Sequence, residues 1–311
     1  MYIGLDIGGT KCAVIKGEGT NIVYREAFAT TDRDSTLNKL FSLIEKQDGY
    51  SAIGVSCGGP LNEKTGVIEC PPNLPDWINV PLTDMLSKKF NKPAFLLNDA
   101  NACALAEARY GAGKGYDNVV FLTFGTGLGA GLILDGKLYS GTNGYAGEVG
   151  HIRLAKTGEF HFGKHGSFES FCSGGGIGRM GQTLAKKRLA QGKPTAFAPT
   201  EQDVQNVTTK LLAQFAKQGD KDAISIFNKS GKKLGEGLSI IIDMLNPQVI
   251  VIGSVFARAT ELFIPSMQRA IKREALTESA KVCKVVPAIL GDKIGDVAAL
   301  IVAEEGMKNA K

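Results

Sequence analysis

Apolar residues along this chain fall into short runs that end on glycine, asparagine or aspartate, and these runs alternate with stretches of helical spacing. Residues 3–15, Ile-Gly-Leu-Asp-Ile-Gly-Gly-Thr-Lys-Cys-Ala-Val-Ile, read as strand, tight glycine turn, strand. The plan recurs at 120–134, Val-Phe-Leu-Thr-Phe-Gly-Thr-Gly-Leu-Gly-Ala-Gly-Leu-Ile-Leu, which suggests a duplicated domain. Between them, 35–47 carries Leu37, Leu40, Phe41 and Ile44 at helical spacing, and 52–56 reads as a buried strand running into Cys57-Gly58-Gly59-Pro60. Residues 94–97 are an apolar run that stops at Asn98 and Asp99, and the Ala-rich stretch 100–110 predicts a helix. Asp99 therefore stands in a strand-to-helix turn, where open α/β sheets take their ligands. The proline-rich stretch 70–77, with the only tryptophan, predicts a loop that could lean on a ligand or pack on the surface. Further on, helices are predicted over 203–217, 220–245 and 261–276, strands over 248–252 and 282–286, and a last helix over 295–305 that Gly306 stops. Strands alternating with helices place the chain in the α/β class.

Composition adds limits. The 311 residues suffice for two domains of ordinary size. The expected division is 1–118 and a larger 119–294, with 295–311 packing back on the first. A net charge of +5 with both signs interspersed gives no basic stripe, so neither nucleic acid nor a membrane is expected as partner. The chain opens on a strand with no basic leader or long apolar run, which points to a cytoplasmic protein. Six cysteines without a CxxC pair suit reduced thiols better than a disulfide framework or a zinc knuckle.

The candidate chemistry sits at the turns. Gly8 and Gly9 lack a Cβ, so their backbone N–H groups can approach an anion, with Thr10 and Lys11 adding a hydroxyl and a charge. Gly125, Thr126 and Gly127 repeat the arrangement, so the two turns could grip the phosphates of ATP from two lobes. Each turn is followed by a strand and no GK[ST] is present, which excludes a P-loop and a dinucleotide-binding turn. Asp6 could hold Mg²⁺ through water. Asp99 reads as a general base, with a plain helix cap as the alternative. The Gly59 turn could approach a ligand, and Glu148, His151 and Glu169 can exchange hydrogen bonds with vicinal hydroxyls. Gly253, at a strand end before a helix, suits an adenosine or ribose contact, or an ordinary turn. His161 and His165 lack a third and fourth ligand for zinc.

In their order and spacing, six motifs resemble the ROK family of sugar kinases and repressors within the actin-like ATPase superfamily, over nearly the whole chain. They are Asp6-Ile-Gly-Gly-Thr-Lys11, Gly58-Gly59-Pro60, Asn73-Leu-Pro-Asp-Trp77, Asn98-Asp99-Ala-Asn101, Phe124-Gly-Thr-Gly-Leu-Gly129 and Gly147-Glu-Val-Gly-His151. The resemblance implies a two-lobed fold with a central cleft. It also implies Asp99 as base, Asn98, Glu148, His151 and Glu169 on sugar hydroxyls, both turns on phosphates, and homodimers. Many members carry a zinc-binding CxCGxxGCxE run; here the positions read back from Glu169 run from Phe160 to Glu169 with all three cysteines replaced. Zinc is therefore not expected, and packing of Phe160 and Phe162 would order this loop instead. No helix-turn-helix segment precedes the first hairpin, which argues against the repressor branch. The expected reaction transfers the γ-phosphoryl of MgATP to the 6-hydroxyl of a hexose, glucose foremost. An N-acetylhexosamine, fructose or allose kinase remains an alternative, as does a non-catalytic sugar sensor.

Overall fold

A computed structural model describes residues 1–310. The chain divides into two compact units, one made of 1–117, 131–146 and 289 onward, the other of 118–130 and 147–288. The first unit opens with β1 (Tyr2–Ile7), β2 (Lys11–Glu18), β3 (Asn21–Ala29), α1 (Arg33–Glu45) and β4 (Ile53–Cys57). It continues through the small hairpin β5 (Leu61–Asn62) and β6 (Val67–Ile68), α2 (Leu82–Phe90), β7 (Ala94–Asn98) and α3 (Asp99–Tyr110). Its sheet runs β3-β2-β1-β4-β7, antiparallel on the β2 side and parallel across β1, β4 and β7. The register aligns Ile7 with Cys57 and Cys57 with Asn98, so three strands finish at one end of the sheet. That end carries the Gly8 turn, the Gly58 turn and Asp99, as the rule for open sheets requires.

All of β4 is buried, because helices cover both faces of this sheet. On one face Ile3, Leu5 and Val55 pack with Leu40 and Ile44 of α1, with Leu82 and with Trp77. Trp77 is 0% exposed, so it belongs to this core and does not lean on a ligand. On the other face lies α12 (Ile294–Asn309), seated on glycines: a Cβ at Gly54 would stand 2.4 Å from the backbone of Ala299 and Ala303. The helix continues through Gly306, where a stop was expected. A Cβ there would meet the Phe95 ring at 2.2 Å, so the glycine serves close packing.

The second sheet has the order β10-β9-β8-β13-β14, built from β8 (Val119–Phe124), β9 (Leu128–Leu134) and β10 (Lys137–Leu138), with β13 (Val249–Ile252) and β14 (Lys284–Pro287) in parallel to β8. Strand β9 leaves the second unit at residue 130, and its Gly131 lies against α3, where a Cβ would touch Ala100 O and Ala104 at 2.5 Å. That contact groups 131–146 with the first unit, a feature the sequence reading did not contain.

The rest of the second unit comprises the hairpin β11 (Phe160–His161) and β12 (Lys164–His165), then α4 (Phe168–Phe171), α5 (Gly174–Ala190), α6 (Glu201–Val204) and α7 (Thr209–Lys217). It closes with α8 (Lys221–Leu245), α9 (Ser254–Arg258), α10 (Thr260–Glu274) and α11 (Thr277–Val282). The single helix expected over 203–217 is two, because Thr208 accepts from Leu211 N and starts α7 afresh. Asp220 caps α8 in the same way through Ala223 N at 2.7 Å. Among the described residues no helix is long and apolar enough to cross a membrane.

Candidate active site

The β1–β2 turn is held from behind. Thr30 donates its hydroxyl to Gly8 O at 2.6 Å and its N–H to Thr10 O at 3.0 Å, while the N–H groups of Gly9 and Thr10 have no acceptor among the described residues. Gly9 must be glycine, since a Cβ would lie 2.5 Å from Asn73. Lys11 is exposed at the start of β2. Asp6 is half-buried at the first turn of α12, where a Cβ on Gly295 would be 2.8 Å from its Oδ2. Burial pushes its carboxyl up to about 6, with Asp296 and then Asp99 adding to the rise and Lys11 and Arg25 opposing it. A site where carboxylates are hard to ionise suits a hard cation, and magnesium takes one or two carboxylates and keeps waters. The residues thus fit Mg²⁺ held through water, although no cluster of three His, Cys, Asp or Glu able to cage a metal occurs among the described residues.

Asp99 is the first residue of α3, and the cap is its neighbour: Asn98 Oδ1 accepts from Ala100 N at 3.0 Å. Asp99 Oδ1 shares that donor at 2.8 Å, and its carboxylate keeps contact with solvent. Protein nonetheless crowds it, and this partial desolvation raises its carboxyl above the ordinary range, with the Ala100 N–H pulling the other way. The Gly58-Gly59-Pro60 turn, with a cis Gly59–Pro60 bond, lies alongside: a Cβ on Gly59 would be 3.5 Å from Asn98 Nδ2. The first unit therefore gathers Gly59, Asn98 and Asp99.

Sequence reading missed what holds this corner. Glu63 Oε1 accepts from Asn98 N at 3.2 Å and from Asn101 Nδ2 at 2.9 Å, tying the loop after Gly59 to the start of α3. A cavity of about 1000 Å³ in the first unit runs along the outer edge of β7; Glu63, Leu96, Arg109 and Glu305 line it and Asp99 does not.

In the second unit the 125–127 turn is anchored by its carbonyls. Gly125 O accepts from Gly174 N at 2.7 Å and Thr126 O from Gly175 N at 3.3 Å. Glu169, only 9% exposed, takes Leu128 N at 2.8 Å through Oε2, and a Cβ on Gly127 would be 2.7 Å from that oxygen. Its Oε1 lies 3.2 Å from His161 Nδ1, close but not aligned as a hydrogen bond. His151 and Glu148 are exposed and 3.9 Å apart. Gly150 brings them to the turn, since a Cβ there would meet Leu128 O at 2.2 Å.

Phe162 stacks on His151 at 3.7 Å between ring centroids and meets His161 edge-on at 4.1 Å. Phe160, by contrast, is 61% exposed with only an edge contact to His165. Phe162 and Gly163 both take positive φ, which makes the two-residue turn of this hairpin. Gly253 is buried against Phe121, and the exposed residue at that turn is Ser254, whose Oγ would be 3.8 Å from a Cβ on Gly125.

Known proteins resemble this chain in sequence and in fold. The sequence model of the ROK family matches residues 2–305. A glucokinase of Thermotoga maritima is 30% identical over 97% of this chain and 97% of its own. A xylose repressor of Caldicellulosiruptor bescii is 31% identical over 88% of this chain and 70% of its own. The crystal structure of a ROK family glucokinase from Streptomyces griseus in complex with glucose and AMPPNP has a TM-score of 0.80 at 30% identity, covering 98% of this chain and 99% of that one. On the strength of a match that runs nearly end to end, the chain belongs to the ROK family.

Proposed function

We propose that this protein is an ATP-dependent hexose kinase acting on the 6-hydroxyl, with glucose as the first candidate because the full-length relatives are named glucokinases. The carrying observation is Asp99: a solvent-touching carboxylate of raised basicity, at the strand end, between Asn98 and Asn101, which Glu63 holds through the Asn98 N–H and the Asn101 side chain. Asp99 accepts the hydroxyl proton as the oxygen attacks the γ-phosphorus and the bond to the β-phosphate oxygen breaks, releasing ADP. In the first unit Asn98 and Gly59 border the sugar, and Gly8, Gly9, Thr10 and Lys11 take phosphate. In the second, Glu148, His151 and Glu169 hold hydroxyls, Gly125, Thr126 and Gly127 take phosphate, and the turn at Gly253 borders the nucleoside through the exposed Ser254. Asp6 would hold, through water, the magnesium that accompanies ATP, which would neutralise phosphate charge. The two compact units serve as the two domains, with α12 assigned to the first.

Asp99→Asn keeps shape and removes the base. The expected outcome is a kcat at least about a hundredfold lower with sugar affinity within threefold, by coupled ADP release and calorimetry. In the unaltered protein the rate falls on acidification through the raised Asp99 carboxyl, at higher pH than an ordinary carboxylate would give. An Asp99→Asn enzyme as fast as the parent sinks the assignment. The repressor likeness favours a second reading, a sugar-binding regulator; hexose binding without turnover on glucose, N-acetylglucosamine, N-acetylmannosamine, fructose, mannose or allose would select it.

A further inference from the structure

Three successive backbone N–H groups, those of Gly125, Thr126 and Gly127, have no acceptor among the described residues, whereas the Gly125 and Thr126 carbonyls are tied back to α5. Such a turn presents donors outward but carries no net charge, and polyphosphate binding ordinarily adds a cation. The first turn has Lys11. For the second, sequence reading named none.

Arg179, in the second turn of α5, lies at that place. Helical side chains lean toward the N-terminus, so residue 179 covers residue 175. A Cβ built on Gly175 would stand 3.1 Å from Arg179 Nη1 and 3.2 Å from Thr126 O, which sets the guanidinium beside the Thr126 peptide. Nothing in the fold accounts for it there. No carboxylate lies within ion-pair distance of Arg179 among the described residues, and its Nε is buried without a partner. Arg188 on the same helix likewise has a buried Nε without a partner, but its Nη2 is paired with Asp222 at 2.6 Å, so what sets Arg179 apart is the missing counter-ion. Arg179 is half-buried with its Nε shut off from water, and a charge so placed without a counter-ion gains when an anion arrives. Gly175 keeps the approach open, since any side chain there would press on Nη1.

We propose that Arg179 is the cation of the second glycine turn, binding the phosphates of the nucleoside triphosphate alongside the three free amides. The proposal rests on the kinase reading above. A guanidinium offers a planar fork to two phosphate oxygens, which a lysine cannot.

Calorimetry on the full chain tests it with MgATP, MgADP, adenosine and glucose as separate probes. R179Q should weaken MgATP and MgADP roughly 10- to 100-fold while adenosine and glucose stay within about twofold, the loss of charge-assisted hydrogen bonds to phosphate alone. R179K should recover part of this. If R179Q does not fold, R179K decides, with a several-fold loss of MgATP affinity expected from losing the fork. Nucleotide affinity unchanged in a folded variant, against a parent that binds MgATP, overturns the role of Arg179 and leaves the kinase reading standing. A parent that binds no nucleotide overturns both.

Discussion

Asp6 bears its charge at a cost. Its carboxyl is raised to about 6 by burial first, then by Asp296 and Asp99. Well below an ordinary carboxylate pKa both folded and unfolded states are protonated and no cost arises. As pH rises toward the folded value, the unfolded chain ionises freely while the folded one resists, so the stability present at low pH is lost through pH 6. Asp6→Asn should therefore stabilise the magnesium-free protein by roughly 1–3 kcal/mol at pH 8, the gain shrinking below pH 6 and vanishing near pH 4. Urea unfolding at three pH values measures it; a gain independent of pH would mean that the amide acts through packing. Residues of this kind were legible in sequence when they ended an apolar run, as Asp6 and Asp99 do. Glu63 and Arg179 were not, because the fold alone defines them: Glu63 reaches Asn98 and Asn101 across 35 and 38 positions, and Arg179 is set beside the Thr126 peptide by the close approach of Gly175.

Helix α3 is held at its far end by Glu107, which is fully buried. Its Oε2 takes Ala112 N at 2.7 Å and its Oε1 takes Ile289 N at 3.1 Å and Leu290 N at 3.0 Å, so one side chain fixes both the exit of α3 and the segment leading to α12. A carboxylate accepts on both oxygens, whereas an amide would turn an N–H₂ on one of these donors. Glu107→Gln should thus cost about 1–3 kcal/mol and Glu107→Ala more, by urea denaturation, since buried donors lose their acceptors. A Gln variant as stable as the parent would show that water replaces the missing acceptor. Elements announced by periodicity and caps were readable: β1–β2, β8–β9 and α8 match their apolar patterns. The start of α5 was not, because Gly174-Gly-Gly has poor helix propensity and is helical here through Ser173, which caps Gly176 N at 2.9 Å. Gly306 misled for the same reason in reverse, a packing glycine read as a stop.

The order of the chain separates the first unit from one of its own core elements. Helix α12 packs on β1, β2, β4, β7 and α3, all laid down nearly two hundred residues or more earlier. Its Val297, Leu300, Ile301 and Val302 are at most 1% exposed. At about 1.5–3 kcal/mol for each buried aliphatic side chain, their loss is on the order of 6–12 kcal/mol, as large as the whole stability of an ordinary domain. Gly4, Gly17 and Gly54, which lie against the helix, have no side chains to refill the gap. A chain ended after Leu290, which keeps the Glu107 clamp, should therefore lose hydrogen-exchange protection throughout β1, β4 and β7 while α8 and α10, packed on each other in the second unit, keep theirs. If β1 and β4 stayed protected, the helix would be a cover on a sheet stable without it. Should they not, the first unit cannot finish folding during synthesis until the second has been made, and its half-built sheet must wait with one apolar face open.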